Sequence, residues 1–322
     1  MRLSVVVVNW NSREDLGCCL ESLGQQTHAD LEVIVVDNGS GDGSEAMVRE
    51  RFPGVLLLET GANLGFAEAC NRGITASSGE WVATLNNDTV ADPGWAKALV
   101  DAAACLPPDV GMLQSVLLFM TDADTINSTG IVLTAGGSGS DRREGETWQR
   151  PAPGPSPRFE EIFCPTAGAA AYRRSMLDAI KLREGYFDRR HFMYFEDLDL
   201  GWRARLAGHS ARLVADSIVW HKYHSSADRQ GRAWMVVVSR TNRIRTLLKN
   251  ASPAFLLRTA PKSAYEAAEA IWHGGWRAGL GLPRAVLESL RQRRSVSALC
   301  RASRRALERR WAGADVRRQK PC

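Results

Sequence analysis

Four short segments of this 322-residue chain hold residues that could do chemistry. Residues 35–44 read VVDNGSGDGS, where Asp37 ends an apolar run and precedes an Asn-Gly turn. Such a carboxylate can accept hydrogen bonds from a nucleobase N–H or a ribose hydroxyl, or it can serve only its own turn. Residues 85–88, LNND, offer Asp88 as an oxygen ligand for a hard divalent cation, with a turn or cap role as the alternative. Residues 192–208, FMYFEDLDLGWRARLAG, carry acids at 196, 197 and 199 in a segment where Leu198, Trp202 and Leu206 recur every fourth residue. At least one of these carboxylates faces away from the apolar stripe, as a general base would, although acids at a helix start also complement its dipole. Residues 219–226, VWHKYHSS, read as a short strand with His221 and His224, of which one can point at a metal site built by Asp88.

Strands and helices must bring these segments together. Ser4–Val8, Leu31–Val36, Val55–Leu58 and Trp81–Leu85 are β-branched or apolar runs. Leu16, Cys19, Leu20 and Leu23 lie between the first two at helical spacing, and a further helix is expected over Phe66–Thr75. This is a βαβ opening with a parallel sheet. Polar residues follow three strands at once, at Asn9, Asp37 and Asn86–Asp88, and ligands of parallel sheets bind beyond the carboxyl ends of strands. Residues 134–158, rich in Gly, Pro, Ser and charge, read as a mobile loop able to order over a bound ligand. From about Arg240 onward the pattern is mainly helical.

Residues 240–322 hold 19 Lys+Arg against 5 Asp+Glu, which leaves 22 against 31 in the preceding chain. An acidic-leaning body suits a cation site, and a basic tail suits an anionic surface such as phospholipid. In 286–311, Val286, Leu287, Leu290, Val296, Leu299, Ala302, Ala306, Leu307 and Trp311 recur among arginines at roughly helical intervals. That pattern fits a helix lying among lipid headgroups, or one docked on its own domain with a solvated basic face. On the membrane reading, a chain ending near Asn250 stays folded. Seven cysteines without C-x-x-C spacing point to a reducing compartment, not to disulfides or zinc. The expected location is cytoplasmic, peripheral on the inner face of the membrane. A dinucleotide-dependent oxidoreductase is disfavoured, because no G-x-G-x-x-G follows a strand. No nucleic-acid partner is expected, because the basic tail carries no recognised binding signature.

Taken in order, VVVVNWNS, VVDNGSGDGS, NLGFAEACNRGI, LNND, AGAAAYRR, YFDRRHFMYFEDLDLGWRARLAG and VWHKYHSS resemble glycosyltransferase family 2, in particular its bacterial rhamnosyltransferase-like branch. The resemblance runs from about Arg2 to about Asn242. It implies an α/β, GT-A fold, a Rossmann-like, mostly parallel mixed sheet flanked by helices, over residues 1–240, with a basic helical extension over 241–322. It also implies an inverting transfer from a dTDP- or UDP-linked sugar, leaning to dTDP-rhamnose, to a glycan or lipid-linked acceptor, with Mg²⁺ or Mn²⁺ as cofactor. On this resemblance Asp197 is the catalytic base, Asp88 and His221 are metal ligands, and Asn9, Asp37, Asn63, Arg72 and Asn87 are placed at the nucleotide. Trp10, Gly168, Ala169 and Glu196 are placed in the sugar or acceptor pocket. Asn86 stands where many relatives have an additional Asp, which removes one charge from the cation site.

Overall fold

The computed structural model describes residues 1–150, 159–222 and 231–313. The opening alternates as β1 (Leu3–Asn9), α1 (Arg13–Gly24), β2 (Leu31–Asp37), α2 (Ser44–Arg51), β3 (Leu56–Glu59), α3 (Phe66–Ala76) and β4 (Trp81–Asn86). It continues through β5 (Thr89–Ala91), α4 (Trp95–Cys105), β6 (Val110–Phe119), β7 (Asp122–Ser128), β8 (Ile131–Leu133), β9 (Gly139–Asp141) and β10 (Phe159–Ile162). Next come β11 (Ala169–Arg173), α5 (Arg174–Ile180), α6 (Glu196–Leu206) and β12 (Ser210–His221). Three helices close the described chain: α7 (Arg232–Asn250), α8 (Pro253–Leu299) and α9 (Arg304–Trp311).

Ten strands form one sheet, with the order β10-β12-β6-β11-β4-β1-β2-β3 and with β5 and β7 attached to β12 and β6. Along that order only β10 and β11 run against the rest, so the sheet is mixed and mostly parallel, as expected. The runs of Val, Ile, Leu and Ala in β1, β2 and β4 are continuous because helices cover both faces. One face buries Leu16, Leu20, Met47, Trp95 and Leu99 from α1, α2 and α4. The other buries Ile74, Met176, Leu177, Leu200 and Ala204 from α3, α5 and α6.

Two expectations are corrected. Residues 134–150 are not a free loop: β8 and β9 form a hairpin, Arg142 is buried against Thr129 and Glu160, and Trp148 joins the core. Arg142, Arg143 and Arg150 pair with Glu160, Glu146 and Asp92, so the segment's composition did not prevent packing; residues 151–158 lie outside the described residues. The stripe at 286–311 is likewise not one helix, since α8 ends at Leu299 and α9 starts at Arg304. Its Val296 is fully buried, and Leu299, Leu307 and Trp311 pack on Phe163, Trp202 and Leu206. The cysteines at 18, 19, 70, 105, 164 and 300 are all free. No described helix is long and apolar enough to cross a membrane.

Candidate active site

The strand tips meet as the parallel register dictates: Asn9 pairs with Asp37, and Val8 with Asn86. Asn9 Nδ2 donates to Asp37 Oδ2 at 3.0 Å, and Asn87 Nδ2 donates to Asn9 Oδ1 at 2.8 Å. Asp37 Oδ1 also accepts the Ser40 N–H at 2.8 Å. Asn38 Nδ2 donates to Asn63 Oδ1 at 3.0 Å, which fastens the loop before α3 to the same tip. Beyond these tips opens a cavity of about 630 Å³. Trp10, Asn63, Asn87, Asp88, Gly168, Glu196, Asp197 and His221 line it, together with Asn38 and Asn86. Asn9 and Asp37 lie fully buried beneath the lining, and Ala169 is buried within β11 behind Gly168. Arg72 is set apart from the cavity, facing Glu68 on α3 at 3.7 Å with nearly half its side chain in solvent.

β12 is longer than the expected short strand, and its last residue is His221. Pairing with Thr89 and Phe119 carries the imidazole to Asp88, with Nε2 3.1 Å from Oδ1. Nδ1 stands 2.8 Å from Asn127 Oδ1; a proton donated there leaves the Nε2 lone pair directed at the Asp88 side. The Asn86 amide lies 3.3 Å from the same Nε2. A carboxylate oxygen and an imidazole nitrogen converging on one cavity wall fit a divalent cation whose remaining ligands are water and phosphate oxygen. His224 lies outside the described residues.

The first turn of α6 carries the acids. Burial raises the Asp197 carboxyl above its usual range, opposed by the N–H groups of Leu198 at 2.7 Å and Ala167 at 3.3 Å and by the Thr166 hydroxyl at 3.4 Å. Burial, then the charge of Asp197, pushes Glu196 well above its usual range, and Glu196 Oε2 has no hydrogen-bond partner. Both carboxyl groups are thus raised by burial, while the hydrogen bonds that Asp197 accepts favour its charged form. A third acid, Asp141 at the end of β9, also lines the cavity. Burial raises it to about 6, with the Asp197 charge adding to the effect. Asp141 was not expected because it lay in the presumed loop; the short apolar run Ile131–Leu133 before a Gly-rich turn was the available hairpin signal.

The backbone entering α6 is held in an uncommon conformation: Phe192, Tyr194 and Phe195 have φ of 60°, 69° and 69°. Bulky residues in the left-handed region persist only where their surroundings hold them there. Gly65 supplies one clamp, since a Cβ there would stand 2.6 Å from the Phe192 ring and carbonyl. Asn242 of α7 supplies another, its Nδ2 donating to the carbonyls of His191, Met193 and Tyr194 at 2.7, 2.9 and 3.0 Å. Below the loop, Asp188, His191 and Asp199 gather as metal ligands would. Lys249 Nζ already fills that cluster, 2.7 Å from Asp188 and 2.9 Å from Asp199, so it is a buried ion pair and not a cation site.

This mixed sheet, with Asp88 beyond its strand tips and two carboxyl groups in the first turn of α6, has the architecture of a GT-A glycosyltransferase. The pattern of glycosyl transferase family 2 matches residues 4–181, and the chain belongs to that family. It is 33% identical over 244 residues to the N-acetylglucosaminyl-diphospho-decaprenol L-rhamnosyltransferase of Mycobacterium tuberculosis (strain ATCC 25618 / H37Rv). That alignment covers 70% of this chain and 77% of the relative. The glycosyltransferase YibD of Escherichia coli (strain K12) is 33% identical over 130 residues, covering 39% of this chain and 38% of its own. Among solved structures, GalNAc-T7 with UDP, GalNAc and Mn²⁺ superposes with a TM-score of 0.73 at 15% identity, covering all of this chain and 58% of that one. The mannosyltransferase PcManGT from Pyrobaculum calidifontis, in complex with GDP-Man and Mn²⁺, gives 0.51 at 20% identity and covers 99% and 81%. At such identities the two structures establish the fold.

Proposed function

We propose that the chain transfers a sugar from a nucleoside-diphosphate donor to a hydroxyl of a lipid-linked glycan acceptor by a single, inverting displacement. The observation that carries this reading is the placement of Asp197 and the Asp88–His221 pair on one cavity wall system, with the amide-rich strand tips beside them. Asn63 and Asn87 bind the nucleoside end, and buried Asp37 shapes it through Asn9 and the Ser40 turn. The acceptor oxygen attacks the anomeric carbon, the bond from that carbon to the diphosphate oxygen breaks, and the acceptor proton passes to the Asp197 carboxylate. Glu196, whose Oε2 has no partner among the described residues, hydrogen-bonds the acceptor or sugar. Asp88 and His221 would hold Mg²⁺ or Mn²⁺, which supplies positive charge against the departing diphosphate. Gly168 leaves room for the sugar, because a side chain there would crowd Asn86 at 3.3 Å. Rhamnose as the sugar and a polyprenyl-diphosphate-linked N-acetylglucosamine as the acceptor follow from the activity named for the mycobacterial relative.

The test is a panel of dTDP-, UDP- and GDP-sugars offered with that acceptor, with Mn²⁺ and after chelation. Transfer from dTDP-rhamnose alone, lost on chelation, is the expected result. Transfer from a different donor removes rhamnose, and full activity in chelator removes the cation.

A further inference from the structure

We propose that the outward face of α8 after its hinge, together with the tryptophans flanking that hinge, docks on an anionic lipid bilayer. The helix breaks at Gly275, whose φ of 60° and ψ of −151° are not helical. Both halves pack on α7: Arg240 and Arg243 pair with Glu269 and Glu266 before the break, and Arg245 pairs with Glu288 after it. Leu282, Ala285, Ser289, Gln292 and Val296 are the inward positions of the second half. The outward ones are Trp276, Leu280, Pro283, Leu287 and Leu290, spaced four, three, four and three residues apart. Trp276 and Leu280 are 72% and 71% exposed, and Trp272, just before the hinge, is 87% exposed. Nothing within the described chain covers this stripe.

Charge decides what does. Arg277, Arg284 and Arg291, seven residues apart and all exposed, run as a column beside the apolar stripe. The neighbouring acid, Glu288, is engaged by Arg245, Arg284 and Arg190. A four-three apolar seam also fits a second copy of the chain. A homotypic seam, however, would lay one arginine column along another with no acidic column to meet either, a repulsive arrangement. Exposed tryptophan, aliphatic side chains and a flanking row of guanidinium groups match the apolar-to-phosphate boundary of an anionic bilayer.

The location gives this surface its use, which rests on the reading that the acceptor is lipid-linked. The start of α7 walls the catalytic cavity through Met235, whose sulfur takes the Tyr194 hydroxyl at 3.6 Å. Two residues on, Val237 lies under the hinge, 2.9 Å from where a Gly274 Cβ would stand. One helix end thus touches both the cavity and the hinge, and a bilayer at the hinge brings lipid-borne hydroxyls beside the cavity.

Co-sedimentation of the full chain with vesicles tests this. The protein is expected to bind phosphatidylcholine vesicles containing phosphatidylglycerol at low salt and to leave pure phosphatidylcholine. The triple variant Trp272→Ser, Trp276→Ser, Leu280→Ser is expected to lose about tenfold or more in partitioning. Arg277→Gln with Arg284→Gln and Arg291→Gln is expected to abolish the salt dependence. Both variants should keep the wild-type melting temperature and donor hydrolysis. Three results would overturn the proposal: no binding of the wild type to anionic vesicles, unchanged binding of the apolar variant, or a solution dimer dissolved by that variant. Binding without transfer to a lipid-linked acceptor would uphold the surface and sink the acceptor reading, whereas transfer without binding would do the opposite.

Discussion

The Lys249 ammonium lies 2.9 Å from Asp199 Oδ1, and both side chains are fully buried. Asp199 stands two residues beyond Asp197, so the cation that stabilises the start of α6 comes from α7. Burial alone would raise the Asp199 carboxyl, yet Lys249 and Arg203 hold it below its usual range. Lys249→Met removes the cation and leaves Asp188 and Asp199 facing each other without it. The expected loss is about 3–5 kcal/mol, the scale for breaking a buried pair from one side. Guanidinium denaturation measures it, and an unchanged midpoint would show that the pair contributes nothing.

Asp197→Asn is expected to retain donor binding and to lose transfer by about 10²–10⁴-fold, because the amide keeps the shape but cannot accept the proton. Titration calorimetry with the nucleotide sugar and single-turnover transfer separate the two effects. Turnover near wild type would move the base elsewhere, with Asp141 the next carboxylate in the cavity.

The nucleotide and cation ends should come apart under mutation. Asp88→Ala and His221→Ala are expected to remove the Mn²⁺-dependent part of donor affinity and to leave nucleoside binding intact. Asp37→Ala frees Asn9 and the Ser40 turn, and should weaken nucleoside binding with or without Mn²⁺. Calorimetry of free nucleotide in both conditions checks this; equal loss of the same cation-dependent component in all three variants would dissolve the distinction.

Much of the site was legible because its chemistry sits at strand ends. β1, β2 and β4 announce themselves as apolar runs, and Asn9, Asp37 and Asn86–Asp88 stop those runs in plain view. The period of Leu198, Trp202 and Leu206, all of which are buried, made legible only that a carboxyl among 196, 197 and 199 stands off the apolar stripe; the choice of Asp197 came from the family resemblance. What sequence pattern does not reveal is which buried polar residue serves a distant segment. Asn242 reads as an ordinary polar residue in a helix, yet its amide holds three carbonyls some fifty positions earlier. Lys249 and Arg243 count towards a basic tail although both are buried counter-charges. Net charge along a sequence records neither burial nor pairing, which is why Val296, Leu299, Leu307 and Trp311, all packed on the core around Trp202, read as part of a membrane face.

Acid stability should carry the mark of His191. Burial, then the Lys249 charge, lowers its pKa to about 4 from an ordinary 6.5, so the folded imidazole is neutral. Below pH 6.5 the unfolded chain binds a proton that the folded chain does not, and stability falls as pH drops from about 6.5 towards 4. One such group accounts for roughly 3 kcal/mol over that window. Asp141, Glu196 and Asp197, raised in the fold, titrate in the opposite sense, so the comparison must be with a variant. His191→Gln should flatten this component when denaturation is compared at pH 7.5 and pH 5. A wild-type pH dependence in the variant would assign the loss to other groups.

Truncation near Asn250 is expected to unfold the protein, contrary to what the tail's composition suggests. Phe255 stacks edge-on against Trp202 with ring centroids 6.0 Å apart, and Trp311 packs on Phe163 at 5.9 Å. Glu308 accepts the Ser252 N–H at 2.6 Å, and Arg243 donates to Glu266 at 2.5 Å across α7 and α8. Trp202 and Leu198 belong to α6, the helix that begins with Glu196 and Asp197, and they share one core with Phe255, Val296 and Ala312. Each large apolar side chain left uncovered costs about 1.5–3 kcal/mol. Removing Phe255, Val296 and Trp311 together therefore approaches the whole stability of an ordinary domain, about 5–15 kcal/mol. A chain ending at Asn250 should aggregate or melt without cooperativity, while one ending at Gly313 should melt as the full chain does. Calorimetry of the two truncations decides, and a cooperative transition near the wild-type temperature in the shorter one would show that α8 and α9 merely rest on a self-sufficient catalytic unit.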